Sequence, residues 1–486
     1  RESARRAAYK AFLVTRVADI GFVLGIVILA GGAGSTEIGT VVAHWTGGSG
    51  TSTAALVTGN PALTAALVLL LSGIAGKSGL VPFHDWLPDA MEGPTPASAL
   101  IHAATMVAAG TYVVARLHPL FAVDETSRVV LGVLAGLTMV WAALLAFAQS
   151  DVKRMLAYST LSQIAVMASA LAFVLAPGEA PGLALGHLFS HAMFKSLLFL
   201  AVGWLSVLAG GTAFVALRGR ARGRGALYWS LAIGLASLAG LPPLVGFFSK
   251  EGVLFAAEAS LDGPDAALAW FLLIALVVTV GLTAAYCTRA WLLLTTEREG
   301  GLGELEAEEG QAESAEEAAP AGDEAATGAH ELRPVTMAAA LTVSVLAVLT
   351  VVGGLLLIPL GIRIGLIMAV VSLLAIGVAF AAVLVMGAAG HDPAARLGPA
   401  AADLSDRGFG FDAVYVAVGR AVTALARLVV RLDRDVVDAY PRGTAYLTGI
   451  AGRAGEKAHR AAPSAGLLGV VLGVVLVAVA GVTVWH

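Results

Sequence analysis

The chain has 486 residues, 58% of them hydrophobic and only 13% charged, with a formal net charge of −4. A soluble domain sits nearer half apolar and a quarter charged, and no nucleic-acid partner is expected of such a chain. Its single cysteine, Cys287, excludes an internal disulfide framework and offers no cluster for zinc or an iron–sulfur centre.

Runs of about 20 apolar residues, enough to cross a bilayer core, recur from end to end. They predict an all-α polytopic membrane protein with about eleven transmembrane helices, at about 9–32, 62–82, 97–118, 128–149, 154–176, 183–209, 226–257, 266–295, 335–359, 362–387 and 464–485. A β-barrel would instead show weak alternating segments of about 10 residues. The opening stretch RESARRAAYK runs straight into the first span with no cleavage site. It starts with Arg and reads as a loop between helices, so earlier helices are expected upstream.

In chain order, the first span carries Arg16 and Asp19, three residues apart and able to share a face. The second carries Lys77 between Gly76 and Gly79, shortly before Pro82. The third holds His102 in SALIHAATM. His187, His191 and Lys195 follow in GHLFSHAMFKSLLF; at a spacing of four they drift only about 40° per step and line one helix face. The span 226–257 is interrupted by GLPP and then carries Lys250. In both interrupted spans the layout reads as a span, a Gly/Pro break and a lysine.

Two segments are not expected to cross. Residues 297–333 hold twelve of the chain's 34 acids and, as bases, only Arg298 and Arg333. Their Ala/Glu/Gly composition cannot bury a core and predicts a solvated linker. Residues 411–440 place Phe411, Tyr415, Val418, Val422, Leu425, Val429, Leu432 and Val436 at helical spacing, with Arg420, Arg427, Arg431 and Arg434 on another face. That predicts an amphipathic helix lying along a membrane or other helices and stopping near Pro441.

The resulting division is 1–118 and 119–295 as two similar halves, 296–334 as linker, 335–400 as further spans, 401–462 as the amphipathic segment and 463–486 as a final span. Basic residues alternate between connections. Arg1, Arg5 and Arg6, then Lys153 and Arg154, then Arg218, Arg220, Arg222 and Arg224, then the segment 388–463 form one series. The positive-inside rule puts that series in the cytoplasm and the C-terminus outside.

A charge at mid-bilayer costs at least about 2.5–3.5 kcal/mol and usually marks a path for ions or protons. Each candidate also has a plain structural reading. Lys77 could snorkel from a helix end, Arg16 and Asp19 could be a structural ion pair, and His102 a hydrogen-bonded core residue. His187 and His191 have a metal-like spacing, but the glutamate of HExxH and a third ligand are missing, so no metal is expected. Those readings do not account for the whole series on five helices, two of them broken. Broken helices expose backbone groups that are tolerated at membrane depth only beside protein or water, and they point to a transport path. Lysine, histidine and water in sequence form a proton wire that needs no redox cofactor.

Four stretches, GKSGLVPFHDWLPDAMEGPTPASALIHAATMVAAGTYVVAR, SDVKRMLAYSTLSQIAVM, HLFSHAMFKSLLFLAVG and LAGLPPLVGFFSKEGVL, resemble the antiporter-like subunits of respiratory complex I (NADH–quinone oxidoreductase), the L type, counterpart of mitochondrial subunit 5, in particular. The resemblance covers nearly the whole chain. It implies an antiporter-like fold with two discontinuous helices, a lateral amphipathic helix and a final anchoring helix at about 408–486.

By position it also implies that Lys77 is the central lysine of a first half-channel and His102 the histidine on the next helix. His187, His191 and Lys195 become connecting residues, and Lys250 the terminal lysine of a second half-channel. Arg16 and Asp19, in TRVAD, match the family's TRVGD-like pair. The family's glutamate partner for Lys77 lies on a helix preceding Arg1, so that carboxylate is not expected here, and the acidic linker reads as an insertion.

The implied function is proton translocation in the membrane arm, driven by redox chemistry elsewhere. Flavin and iron–sulfur clusters are expected in other subunits and no cofactor here. Subunits K, M and N and the lipid bilayer are the expected partners, in a bacterial cytoplasmic membrane. The alternatives are a subunit of an Mrp-type cation/proton antiporter, a structural subunit without pumping, and a related hydrogenase-linked subunit.

Overall fold

The computed structural model describes residues 2–47, 59–103, 105–296, 337–357, 362–388, 391–398, 404 and 408–484. The predicted linker at 297–333 lies outside them. Two compact units divide the chain at Phe409 and Gly410. The first contains α1 (Glu2–Ala33), α2 (Ile38–Trp45), α3 (Pro61–Ser78), α4 (Trp86–Asp89), α5 (Thr95–Ala103), α6 (Ala109–Val123), α7 (Glu125–Ala148), α8 (Val152–Ala170), α9 (Glu179–Ala209), α10 (Phe214–Leu217), α11 (Gly225–Ala239), α12 (Val245–Ala259), α13 (Ala266–Thr295), α14 (Met337–Leu357) and α15 (Leu366–Met386). The second contains α16 (Phe411–Leu432), α17 (Ala439–Ala461) and α18 (Pro463–Val484).

All eleven predicted spans fall on helices. Among the described residues nine helices are long and apolar enough to cross a membrane, one of them the stretch from Ala413 to Ala461. Helices of that length qualify on mean hydropathy even when their apolar residues keep to one face. The other eight coincide with predicted spans. The remaining three predicted spans are α8, rich in Ser and Thr, and the broken pairs α5/α6 and α11/α12.

Local signals set the ends. Asn60 caps α3, its side chain accepting from Ala62 N at 3.0 Å with Pro61 in the first turn. Asp124 caps α7 through Ser127 N, and Asp151 caps α8 through Arg154 N. In membranes, small residues let helix backbones approach closely. At the α1–α3 crossing a Cβ on Gly76 would stand 2.3 Å from Ala18 Cβ, so only glycine fits. That contact places the next residues, Lys77 and Asp19, side by side.

Three expectations need correction. Lys77 lies one residue before the end of α3 and therefore precedes its break, whereas Lys250 follows the second break on α12. The span around His102 is not continuous, because α5 ends at Ala103 and α6 starts at Ala109. The amphipathic helix does not stop at Pro441. A π-turn at Asp433–Val437 inserts an i→i−5 bond, Asp438 N to Asp433 O at 2.9 Å, and restarts the helix so that Pro441 sits in the first turn of α17. Proline is tolerated there because that turn's amides lack helical partners anyway.

One buried cation fastens the segment after α15. Arg289 of α13, 2% exposed, donates to both carboxylate oxygens of Asp392 at 2.7 Å, to Phe147 O at 2.7 Å and to Gln149 O at 2.8 Å. Burial pushes the Asp392 carboxyl up, but the Arg289 guanidinium outweighs it and holds the group below the ordinary aspartate value. The contribution is therefore whole above about pH 4 and is lost as pH falls through the lower folded value. Arg289→Met leaves four acceptor oxygens without their donor and is expected to destabilise the bundle by about 3–5 kcal/mol. An unchanged unfolding midpoint in detergent at neutral pH would show that the clamp is idle.

Candidate functional site

The sequence-predicted residues fall into two groups. In the first, Lys77 Nζ lies 3.1 Å from Asp19 Oδ2, and Arg16 Nη1 reaches the same oxygen at 3.3 Å. Lys77 thus does have a carboxylate within this chain, contrary to expectation, because the α1–α3 crossing carries Asp19 to it. Both side chains are partly open, Lys77 at 37% and Asp19 at 20% exposure.

The break after α3 is satisfied internally, as membrane depth requires. Gly79 takes the left-handed conformation at φ 68° that ends the helix. Trp86 Nε1 donates to Gly76 O at 2.9 Å, and the Thr138 hydroxyl accepts from Val81 N at 3.0 Å. Lys10 of α1 bridges Asp85 and Asp89 just beyond.

The second group gathers His102, His187, His191, Lys195 and Lys250. His191 lies within electrostatic range of Lys195, His187 and His102, and His187 within range of Lys250. All but Lys250 are 0% exposed, and Lys250 is 5% exposed. Lys195 Nζ donates to Leu156 O at 3.0 Å and to the Ser159 hydroxyl. His187 bridges two helices, with Nε2 3.2 Å from Gln163 Oε1 on α8 and Nδ1 2.9 Å from Ser249 Oγ on α12. His187 therefore has a hydrogen-bond partner at each ring nitrogen. Facing separate partners, His187 and His191 do not converge on a common ion.

The break between α5 and α6 lies between the groups. It frees Ala103 O, which takes His191 Nδ1 at 3.2 Å, and Val107 O, which takes the hydroxyl of Ser78, neighbour of Lys77, at 2.8 Å. His102 stands at the end of α5 beside this break, its ring 5.1 Å from Phe199 and both nitrogens without a protein partner among the described residues.

Both lysines at broken helices sit at a carboxyl end. Lys77 is in the last turn of α3, and Lys250 reaches back from α12 to Leu238 O at the end of α11, where Gly240 turns the chain at φ 89°. Helix carboxyl ends attract cations. Sequence order separates the two positions, and what they share in the fold is a helix carboxyl end.

Several participants escaped the sequence reading. Ser159, Gln163 and Ser249 are single polar residues inside apolar stretches, and only their contacts distinguish them. The polar run YSTLSQ on α8 was the available signal. Glu251, 2% exposed, accepts from Ser372 of α15 and sits next to Lys250.

Residues 1–283 match the family described as NADH:quinone oxidoreductase/Mrp antiporter, transmembrane. The chain is 39% identical over 298 residues to the NADH-quinone oxidoreductase subunit L of Neisseria meningitidis serogroup A, covering 60% of this chain and 43% of that protein. With the Pseudomonas aeruginosa subunit L it shares 42% over 256 residues, covering 52% and 40%. With chain 5 of the NAD(P)H-quinone oxidoreductase of Synechocystis it shares 37% over 324 residues, covering 64% and 44%. The chain therefore spans less than half the length of these relatives. Among solved structures, the Mrp complex from a Dietzia species superposes with a TM-score of 0.60 at 25% identity, covering 89% of this chain and 46% of that one. An archaeal membrane-bound sulfane sulfur reductase shares the fold, with a TM-score of 0.56 at 22% identity and coverage of 78% and 67%.

Proposed function

The chain belongs to the NADH:quinone oxidoreductase/Mrp antiporter transmembrane family, and from that premise we propose that it is a proton-translocating membrane-arm subunit of an NADH–quinone oxidoreductase. Redox chemistry in other subunits, which hold the flavin and iron–sulfur clusters, drives it, and this chain binds no cofactor of its own. It sits in a bacterial cytoplasmic membrane beside the K, M and N subunits, with α16 and α17 running laterally along them.

The observation that carries the reading is the buried succession of Lys195, the histidines and Lys250 on neutral hydrogen-bond partners. An ammonium held by a carbonyl and a hydroxyl can give up its proton without stranding a carboxylate. His187, held at both nitrogens, can take a proton on one side and release one on the other. Asp19 supplies Lys77 with a counter-charge. The α5/α6 break links the two groups, its Val107 O held by Ser78 beside Lys77 and its Ala103 O by His191.

A cation/proton antiporter subunit of the Mrp type is the second reading, favoured by the superposition over 89% of the chain. Inverted membrane vesicles from cells with and without the chain distinguish the two. Loss of NADH-driven, quinone-dependent proton uptake supports the oxidoreductase. Intact NADH-driven uptake with loss of sodium/proton exchange supports the antiporter and overturns the first reading.

A further inference from the structure

Resting on the proton-translocating reading above, we infer that Thr279, Thr283 and Tyr286 of α13 line a second proton branch between Lys195 and Lys250, running past Ser159 and through a cavity between α8, α12 and α13. At positions i, i+4 and i+7 the three hydroxyls share one helix face. All three side chains are buried, none more than 1% exposed.

The cavity is lined by Gln163 and Val166 of α8, Lys250 and Leu254 of α12, and Thr279 and Thr283 of α13, among others, and measures about 10 Å³. That is roughly the space one water needs, and a buried water also needs two to four polar partners. The lining supplies them. Among the described residues Gln163 Nε2 and Thr279 Oγ1 are buried without a protein partner, and both belong to residues of this cavity together with Lys250.

Thr279 is unusual among the buried threonines of α13. Thr283 and Thr288 donate back to the carbonyl four residues earlier, at 2.7 Å each, which is the ordinary resting place of a hydroxyl in an apolar helix. Thr279 does not, so its hydroxyl is free to hold a water beside Lys250. At the other end, the Tyr286 hydroxyl lies against Thr283 and Ser159 without closing a well-formed bond to either. Ser159 in turn takes the Lys195 ammonium and donates to Leu156 O at 2.8 Å.

The hydroxyls of Ser159, Tyr286, Thr283 and Thr279 therefore stand in series between the two lysines. One proton passes from the Lys195 ammonium to Ser159 Oγ as Ser159 gives its own to Tyr286 Oη. Tyr286 passes its proton through Thr283 and the cavity water to the Lys250 amine, and the hydroxyls then rotate back. No bond other than O–H and N–H changes, and one proton leaves Lys195 for each that reaches Lys250. The branch runs beside the His187 bridge, and Gln163 touches both.

The test uses the assembled complex in inverted vesicles, with proton uptake measured per NADH oxidised. Thr279→Val and Tyr286→Phe remove a hydroxyl and keep the shape, and either one suffices if the other fails to assemble. Thr279→Ser restores the hydroxyl, and Lys250→Ala checks the underlying reading. The branch requires the first two variants to take up fewer protons per NADH than the wild type, by the share this branch carries, and Thr279→Ser to pump as the wild type does. If Lys250→Ala lowers pumping but Thr279→Val and Tyr286→Phe do not, the branch is overturned and the reading stands. A Thr279→Ser variant as poor as Thr279→Val also overturns it, because shape and not the hydroxyl would then matter. If Lys250→Ala pumps normally as well, both fall.

Discussion

Lys195→Met in the assembled complex is expected to slow proton translocation through this chain by about 10²-fold or more, the contribution of a positioned proton carrier, with the subunit still folded and in place. Methionine keeps the length and the apolar stem of lysine, so the packing of α9 against α8 survives. The lost bonds end on Leu156 O and the Ser159 hydroxyl. Ser159 still donates to that same carbonyl at 2.8 Å. The stability change should therefore stay near the 1–3 kcal/mol of a lost buried hydrogen bond. Lys195→Arg sharpens the result. Arginine keeps the charge but does not release its proton, so a charge-only role predicts rescue and a proton-carrying role predicts none.

Asp19→Asn is the second large effect. Lys77 then faces an amide where it had a carboxylate at 3.1 Å, and Arg16 loses the same partner. Removing one member of a fully buried pair costs about 3–5 kcal/mol. With Lys77 only half-buried, about 1–3 kcal/mol is expected here. Translocation should fall as well, since Lys77 then lacks the carboxylate it contacts. Asp19→Asn combined with Lys77→Met removes the more buried of the two stranded charges, so thermal stability should recover in large part while pumping stays lost. Wild-type stability and pumping in Asp19→Asn would show that the pair is incidental.

The spans were legible because hydropathy and length set them almost unaided, and the helix breaks at Gly79 and Gly240 were legible because glycine and proline announce them. The break after Ala103 was not. Residues 104–108 contain neither glycine nor proline, and the freed carbonyls are held by His191 and Ser78 from distant segments. Pro441 misled for the opposite reason: a strong breaker was absorbed by a π-turn just before it.

The lysines and histidines stood out as costly residues in apolar runs. What each one touches did not. Asp19 was read as a partner of Arg16 from their spacing, and only the close crossing at Gly76 and Ala18 gives it to Lys77. Thr279 and Tyr286 carry no charge, and an isolated neutral polar residue in a transmembrane helix has no sequence signature until its neighbours are known.

The central claim is that a proton passes through Lys195, and the ratio of protons taken up to NADH oxidised by vesicles carrying the Lys195→Met complex tests it most directly. The expected ratio lies below that of the wild-type complex assembled to the same level, and Lys195→Arg should be no better. A Lys195→Met complex that moves as many protons per NADH as the wild type would contradict it.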